Sequence, residues 1–305
     1  MSTGRVPLLA SGFALSAGLV WSFGGVTARS AEHSDAFQYL IWRSIGIIVV
    51  IELLARWRRR PAVTPLAFRS GRMMLLADVM LLLASIAFVY ALKTTTAANA
   101  AFLASMTPLI AGVFARVFLG ERITRVTVVA IAVALVGLVV TVWGDIEAGD
   151  MVGNFSAVMS SVGFAGYTVC VRTDPHRDWS PVMPGYAVMM IAICTVVTLS
   201  GGKTLVPPAG DIAYGLLHGG VFIVVGTLLF NIGARQVPAV AMVVFAQTET
   251  IFVPVWTYVF LSETPAGMSL LGGSIILAAV IGKAVVDATR PHPVESPDVV
   301  RTSHA

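Results

Sequence analysis

The chain has 305 residues, of which 57% are hydrophobic and only 12% charged, with a formal net charge of +4 and a mean hydropathy of +0.86. Soluble domains carry about twice that share of charge. No single aqueous core hides this much apolar surface, whereas a bilayer accepts it. The basic balance does not indicate nucleic acid, because Arg and Lys fall in short runs between long apolar stretches.

A membrane-crossing helix takes about 20 apolar residues. Ten such spans are predicted, at 8–28, 36–55, 72–92, 96–118, 124–144, 152–172, 181–200, 211–233, 237–261 and 267–286. The first is longer than the apolar run of about 7–15 residues in a signal peptide, so it is expected to stay as a helix. The second holds Arg43 and is followed by a basic loop from Arg56 to Arg72. Asp78 and Tyr90 lie in the third span, and Asn99, Ser105, Thr107 and Pro108 in the fourth, which ends at Phe118-Leu119-Gly120-Glu121. The loop 145–150 after the fifth span carries Asp145, Glu147 and Asp150 and no base. Tyr167 and Cys170 lie in the sixth span and Cys194 in the seventh; the two cysteines have neither metal-ligand spacing nor a disulfide pattern and are expected as small buried hydrophobes. His218 and Asn231 lie in the eighth span. The ninth carries Phe245, Glu249, Pro254 and Trp256 and ends at Phe260-Leu261-Ser262-Glu263. Residues 289–305 are polar and proline-bearing and are predicted to be a disordered cytoplasmic tail.

Lys and Arg set the orientation. With the N-terminus in the cytoplasm, sixteen of them fall on inner segments and three, Arg29, Lys93 and Lys203, on outer ones. Both termini are therefore expected inside.

Laid on itself so that Glu121 meets Glu263, the chain resembles itself. In that single register Phe118-Leu119-Gly120-Glu121 falls on Phe260-Leu261-Ser262-Glu263, Phe13 on Phe155, Gly24 on Gly166, and Lys93 on Arg235. One offset serves several helices, which marks an internal repeat. Residues 1–146 form the first five-helix unit and 147–288 the second. Five is odd, so the second copy enters from the opposite side, giving two inverted repeats. The fold class is thus an all-α membrane bundle of ten helices around a central cavity. Glu121 and Glu263 each precede a helix start, where Thr124 and Thr264-Pro265 suit the first turn and an acid is favoured. A structural role is expected for both.

These residues resemble the EamA family of the drug/metabolite transporter superfamily. The likeness rests on ten inverted spans and on Thr107-Pro108-Leu109-Ile110 with Leu119-Gly120-Glu121 in the first half. In the second half it rests on Glu249 with Leu261-Ser262-Glu263. Glu249 is followed by Thr250 where the family usually has Pro, and Pro254 lies one turn later. Arg43 resembles the family's recurrent Arg in the second span. The overall character is most similar to the bacterial aromatic amino acid exporters. The resemblance implies a bacterial inner-membrane transporter exporting small solutes, amino acids including aromatic ones, by alternating access, with export of other metabolites or cationic drugs as the alternative. Spans 1, 3, 4, 6, 8 and 9 would surround the cavity.

Polar groups inside a span are costly and point to function. Glu249 is at the middle of its span, and Met242, Phe245, Phe252 and Trp256 share its helical face. One acid among aromatics suits a substrate with an apolar ring and an ammonium group. A structural acid paired with Arg43 is the other reading. The mate of Glu249 in the repeat is Thr107, beside Pro108, which frees backbone carbonyls. Ser105 and Thr107 are cavity candidates, and simple kinking is the other reading there. Trp21, Tyr90, Asn99, Tyr167 and Asn231 complete the candidate lining, with packing or interfacial anchoring as the alternative. Asp78 and His218 are expected in the two entry vestibules. Gln247 points away from Glu249, toward a neighbouring helix.

Gly201-Gly202-Lys203-Thr204 ends like a phosphate loop, but Val197 stands where the first glycine is required. HExxH and GxSxG motifs and Cys/His clusters are absent. No catalytic site, metal or cofactor is expected. An intramembrane enzyme built on Asp78, His218 and Glu249, and a channel, are the alternative classes. Proton coupling and facilitated diffusion are both open.

Overall fold

The computed structural model describes residues 8–143, 151–174, 176–234 and 239–289, and these are helical with short connections and no strand. The helices are α1 (Leu8–Ser30), α2 (Ala36–Trp57), α3 (Thr64–Arg69), α4 (Arg72–Thr94), α5 (Ala97–Ala104), α6 (Thr107–Leu119) and α7 (Arg125–Trp143). They continue with α8 (Met151–Thr173), α9 (Val182–Ser200), α10 (Ala209–Leu217), a π-helical segment (His218–Ile223), α11 (Val224–Ala234), α12 (Ala239–Leu261) and α13 (Gly267–Thr289). Each predicted span coincides with helix to within about three residues. The predicted tail, the acidic loop 145–150, Arg235 and the side chain of Met242 lie outside the described residues.

Among the described residues, eight segments are long and apolar enough to cross a membrane: α2, α4, α5–α6 together, α7, α8, α9, α10–α11 together and α13. α1 and α12 are each 23 residues long. The outer surface is lipid-like. On α7, Val128, Val129, Val136 and Val139 are each more than half exposed. A soluble monomer rarely shows so continuous an apolar face.

Local chemistry explains the helix ends. Asp35 caps α2 in a reciprocal box: Gln38 N–H donates to Asp35 Oδ1 at 2.8 Å, and Asp35 N–H donates to Gln38 Oε1 at 3.1 Å. The Asn99 N–H donates to Thr96 Oγ1 at 3.2 Å at the start of α5. Gly120 ends α6 in the left-handed region, φ 71°, where glycine carries no Cβ penalty. Pro108 breaks the fourth span into α5 and α6 at Ser105–Met106. Pro254, by contrast, sits within a continuous α12. The sequence did not mark the short α3 in the basic loop or the π-helical turn at His218.

Small residues let the helices close. A methyl built on Gly18 would stand 3.1 Å from the Glu249 nitrogen, and one on Gly25 would stand 2.9 Å from the Val253 side chain, so α12 lies against α1. Trp21 of α1 lies on Gly226 of α11, where an added Cβ would approach its ring to 2.4 Å. The equivalent positions under the internal offset, Gly163 of α8 and Ala84 of α4, are also in contact, at 2.5 Å from such a Cβ. The broadest contacts are α4 with α8, α7 with α13, and α1 with α12 and α11.

Candidate functional site

Glu249 sits on α12 where that helix meets α1. Among the described residues, no hydrogen bond or ion pair reaches its carboxylate. Arg43, the sequence-level candidate for its partner, is elsewhere: its guanidinium donates to Ser85 Oγ between α2 and α4. One and two turns beyond Glu249, an aromatic cluster bridges the same two helices. The Trp256 ring stacks on Phe23 of α1 at 5.1 Å and touches Phe252 at 5.4 Å and Phe260 at 6.0 Å. The Trp256 Nε1–H donates to Ser22 Oγ at 2.9 Å, and Ser22 is itself fully buried. That bond fixes the indole plane. Phe23 also stacks on Phe222 at 5.5 Å, which joins the π-helical segment to the cluster. Phe245 is half-buried, with its carbonyl against Gly18. The result is an unpaired acid in an aromatic seam between α1, α12 and the eighth span.

The other candidate residues separate into distinct places. Trp21 packs on Gly226 and on Phe230 at 5.3 Å, with its Nε1–H directed at Ile223 O at 3.5 Å. Asn99 donates to Asn154 Oδ1 at 3.2 Å, and the Thr95 hydroxyl donates to the same oxygen at 2.9 Å, which ties α5 to α8. Ser105 and Thr107 donate to the Phe102 and Ala104 carbonyls at 2.6 and 2.8 Å, so the groups freed at the Pro108 break are taken up locally. Tyr90 packs against Phe37 of α2 at 6.2 Å. Asn231 is exposed. Gln247 is buried, and its partner is Thr250 of its own helix at 3.3 Å rather than a neighbouring helix.

The two expected vestibule residues are both buried. His218 is 3% exposed; its Nδ1 is 2.8 Å from the Tyr39 hydroxyl, which also reaches Thr27 at 3.2 Å. Its ring fills the space over Gly24. Asp78 is fully buried, with its carboxylate against Gly185 of α9. Tyr167 of α8 lies within electrostatic reach of Asp78 and Tyr186, and Tyr186 lies beside Arg43 and Ser85. Sequence reasoning missed Tyr39, Ser85 and Tyr186, because a lone hydroxyl in an apolar run carries no pattern.

Glu121 and Glu263 are both ion-paired. Glu263 Oε2 accepts from Arg29 Nε at 3.0 Å, and its Oε1 accepts from the Ala97 N–H at 2.7 Å. Arg29 also donates to the Leu92 and Thr95 carbonyls. Glu121 meets Arg172, at the end of α8, at 2.5 Å. The side chains of the Glu263 pair are 14% and 30% exposed, against 45% and 47% for the Glu121 pair. Beside the tighter pair lies an open cavity of about 370 Å³ lined by Arg29, Glu32, Lys93, Leu261 and Glu263. A second, of about 460 Å³, lies next to it between the α1–α2 and α9–α10 connections, where Lys203 pairs with Asp35 at 2.7 Å. Among the described residues no group of three or more acids, histidines or cysteines has metal-ligand geometry.

The EamA-like transporter family matches this chain twice, over residues 8–143 and 151–283. The chain belongs to that family. The family covers both halves at nearly the spacing of the internal offset, and it makes the chain a multi-pass membrane transporter. Among similar proteins, the pseudopaline exporter CntI of Pseudomonas aeruginosa is 27% identical over 280 residues, spanning 90% of this chain and 96% of that protein. An uncharacterized transporter of Synechocystis is 23% identical over 210 residues, covering 63% of this chain and 58% of that one. A solved crystal structure superposes with a TM-score of 0.64 at 18% identity, covering 92% of this chain and 99% of that chain, so the two share a fold.

Proposed function

We propose that this EamA-family chain is an exporter of the bacterial inner membrane. It carries small organic solutes with an ammonium group, amino acids including aromatic ones, by alternating access. The observation that carries the substrate class is Glu249, a carboxylate without a protein partner among the described residues, on the same helix face as Trp256 and next to its ring cluster. A cation meets charge from the acid and the negative ring faces of the aromatics. An intramembrane acid left unpaired is expected to face a transport pathway.

In this reading ten helices form two inverted five-helix repeats, with both termini in the cytoplasm. Packing supports it. The Trp21–Gly226 contact has its counterpart, under the same offset, in Gly163–Ala84. Glu263, in the second repeat, pairs with the end of α1, and Glu121, in the first, pairs with the end of α8. Halves that exchange contacts in this way can rock to open either end. The likeness to the pseudopaline exporter favours a second reading, in which the cargo is pseudopaline or a related compound.

Reconstituted protein in liposomes decides between them. Uptake of labelled tryptophan, phenylalanine, threonine and a lipophilic cation is measured with pseudopaline as competitor. Amino acid flux above that of empty liposomes, lost at least tenfold in Glu249→Gln, is expected. Pseudopaline transport with no amino acid flux would select the second reading. Flux unchanged in Glu249→Gln removes that residue from the site.

A further inference from the structure

The polar group least accounted for lies outside the Glu249 seam. Asp78 is on α4, about a turn and a half from its cytoplasmic start, and is 0% exposed. Both carboxylate oxygens lack a hydrogen-bond partner. The carboxyl fills a notch in α9: a methyl on Gly185 would stand 2.6–2.8 Å from it. At the equivalent places of the other half stand Gly220 for Asp78 and Arg43 for Gly185. The acid is therefore particular to one half and not demanded by the packing of the repeat.

A buried carboxylate needs a counter-charge, donors, or a proton. The groups around Asp78 supply neither of the first two. Tyr167 of α8 lies within electrostatic reach of Asp78, and Cys170 of α8 and Tyr186 of α9 lie by Tyr167. From α2 come Arg43, whose guanidinium is held at Ser85 about two helical turns further along α4, Glu52, whose carboxylate accepts from the Val63 and Thr64 N–H groups, and Arg56, which is exposed. α5 carries no titratable side chain, and α1 has Arg29 at its far end. Arg69 of α3 and Arg72 at the start of α4 are exposed. The carboxyl is 0% exposed and closes directly on Gly185, so it does not face an open cargo cavity. A ligand that fits is a proton.

We propose that Asp78 is a proton-binding site, taking up one proton as its carboxylate becomes a carboxylic acid and releasing it in the reverse step. The neutral acid suits the dry packing of α4 against α8 and α9. The charged form needs water, which enters only if these helices part at the cytoplasmic end. Proton release would thus accompany opening toward the cytoplasm, and inward proton movement is coupled to outward cargo movement if the site reloads from the outer side once these helices have closed. The coupling rests on the transport reading above; the binding site does not.

Infrared spectroscopy of the protein in lipid tests the site without any cargo. The carbonyl stretch of a protonated carboxylic acid should fade as pH rises. It should be lost in folded Asp78→Asn, shifted in frequency in Asp78→Glu, and retained in Glu249→Gln. A titrating band that is the same in Asp78→Asn and Asp78→Glu as in wild type, or none at all in wild type, overturns the proposal. In liposomes loaded with a pH-sensitive dye, tryptophan flux should move protons in wild type and not in Asp78→Asn, while tryptophan exchange continues. Proton movement undiminished in Asp78→Asn overturns the coupling. A wild type that carries no tryptophan sinks the amino acid reading while the infrared result stands by itself.

Discussion

Gly163→Ala tests the packing of the two halves most directly. Gly163 is on α8, in the broad contact with α4. An added methyl would lie 2.5 Å from the Ala84 nitrogen, 2.7 Å from the Met80 carbonyl oxygen and 2.9 Å from the Ala84 Cα. All three are backbone atoms of α4, so no side chain can swing aside and α8 itself must shift. Overpacking of this kind costs about 1–3 kcal/mol, and contact with backbone places it toward the upper end. Alanine in place of helical glycine returns about 1 kcal/mol, leaving a net loss of about 2 kcal/mol, or roughly thirtyfold in the unfolding equilibrium. Gly112→Ala is the control. Its methyl would meet only Thr127 Cγ2 at 3.5 Å, an ordinary contact, so the helical gain alone remains. Equilibrium unfolding in mixed micelles, followed by circular dichroism, compares the two variants. Equal stability of Gly163→Ala and Gly112→Ala would refute the claim that glycine sets the α4–α8 approach.

Four further outcomes follow from the charged and aromatic contacts. Glu263→Gln should lower stability by about 1–2 kcal/mol, because it weakens bonds to Arg29 and to the Ala97 N–H of a kind worth about 1.5–3 kcal/mol when charge-assisted. Glu121→Gln should cost less than about 1 kcal/mol in the same unfolding assay, since its pair is half exposed. Burial would raise the Asp35 pKa, but the Lys203 bond and the backbone N–H of Gln38 outweigh it and hold the carboxyl below its ordinary value. A lowered folded pKa means the stabilising contribution is complete above the unfolded value of about 3.9 and is lost as pH falls through the folded one. Wild type should therefore lose more stability than Asp35→Asn when pH is lowered from about 5 to 2. Ser22→Ala leaves the buried Trp256 N–H without its acceptor, which costs about 1–3 kcal/mol. It should also broaden tryptophan fluorescence, whereas Ser22→Thr keeps the hydroxyl.

The fold was legible because lipid imposes a simple rule: every backbone polar group must bond within its own helix. Runs such as 36–55 and 181–200 thus announce themselves by length, and the structure has helix there. The pairing of Glu121 and Glu263 with Arg172 and Arg29 was not legible. The sequence offers their places at helix starts, but ion pairs across 51 and 234 residues depend on how the helices are arranged. The same holds for Arg43. A single arginine in an apolar run must find a partner, yet neither composition nor spacing says whether that partner is Glu249 or Ser85. Glu249 stood out by the company of Phe252 and Trp256 on one helix face, a pattern local to α12, while Phe23 and Ser22 entered only through the packing of α1.

The two halves also show where pattern-based reading stops. Their shared offset invites the expectation that functional groups come in pairs, as Glu121 and Glu263 do. Three charged groups within the spans break that expectation. Arg43, Asp78 and Glu249 stand opposite Gly185, Gly220 and Thr107. Glycine at two of these places is what lets the helices approach: an added Cβ on Gly185 would strike the Asp78 carboxyl, and one on Gly220 would strike the Val50 side chain. Asp78 faces α9 and Gly220 faces α2, so the two equivalent places line separate interfaces, and only the first holds an acid. Glycine at position 220 is therefore a condition of packing, whereas the acid at position 78 is not demanded by it. Restoring symmetry should show it. Gly220→Asp places a second carboxylate against α2, beside the Gly46 carbonyl and Val50. It should destabilise the protein far more than Gly220→Ala, by the desolvation of an unpaired ion, several kcal/mol. Equal stability of the two variants would mean that water reaches this interface and that the asymmetry has another origin.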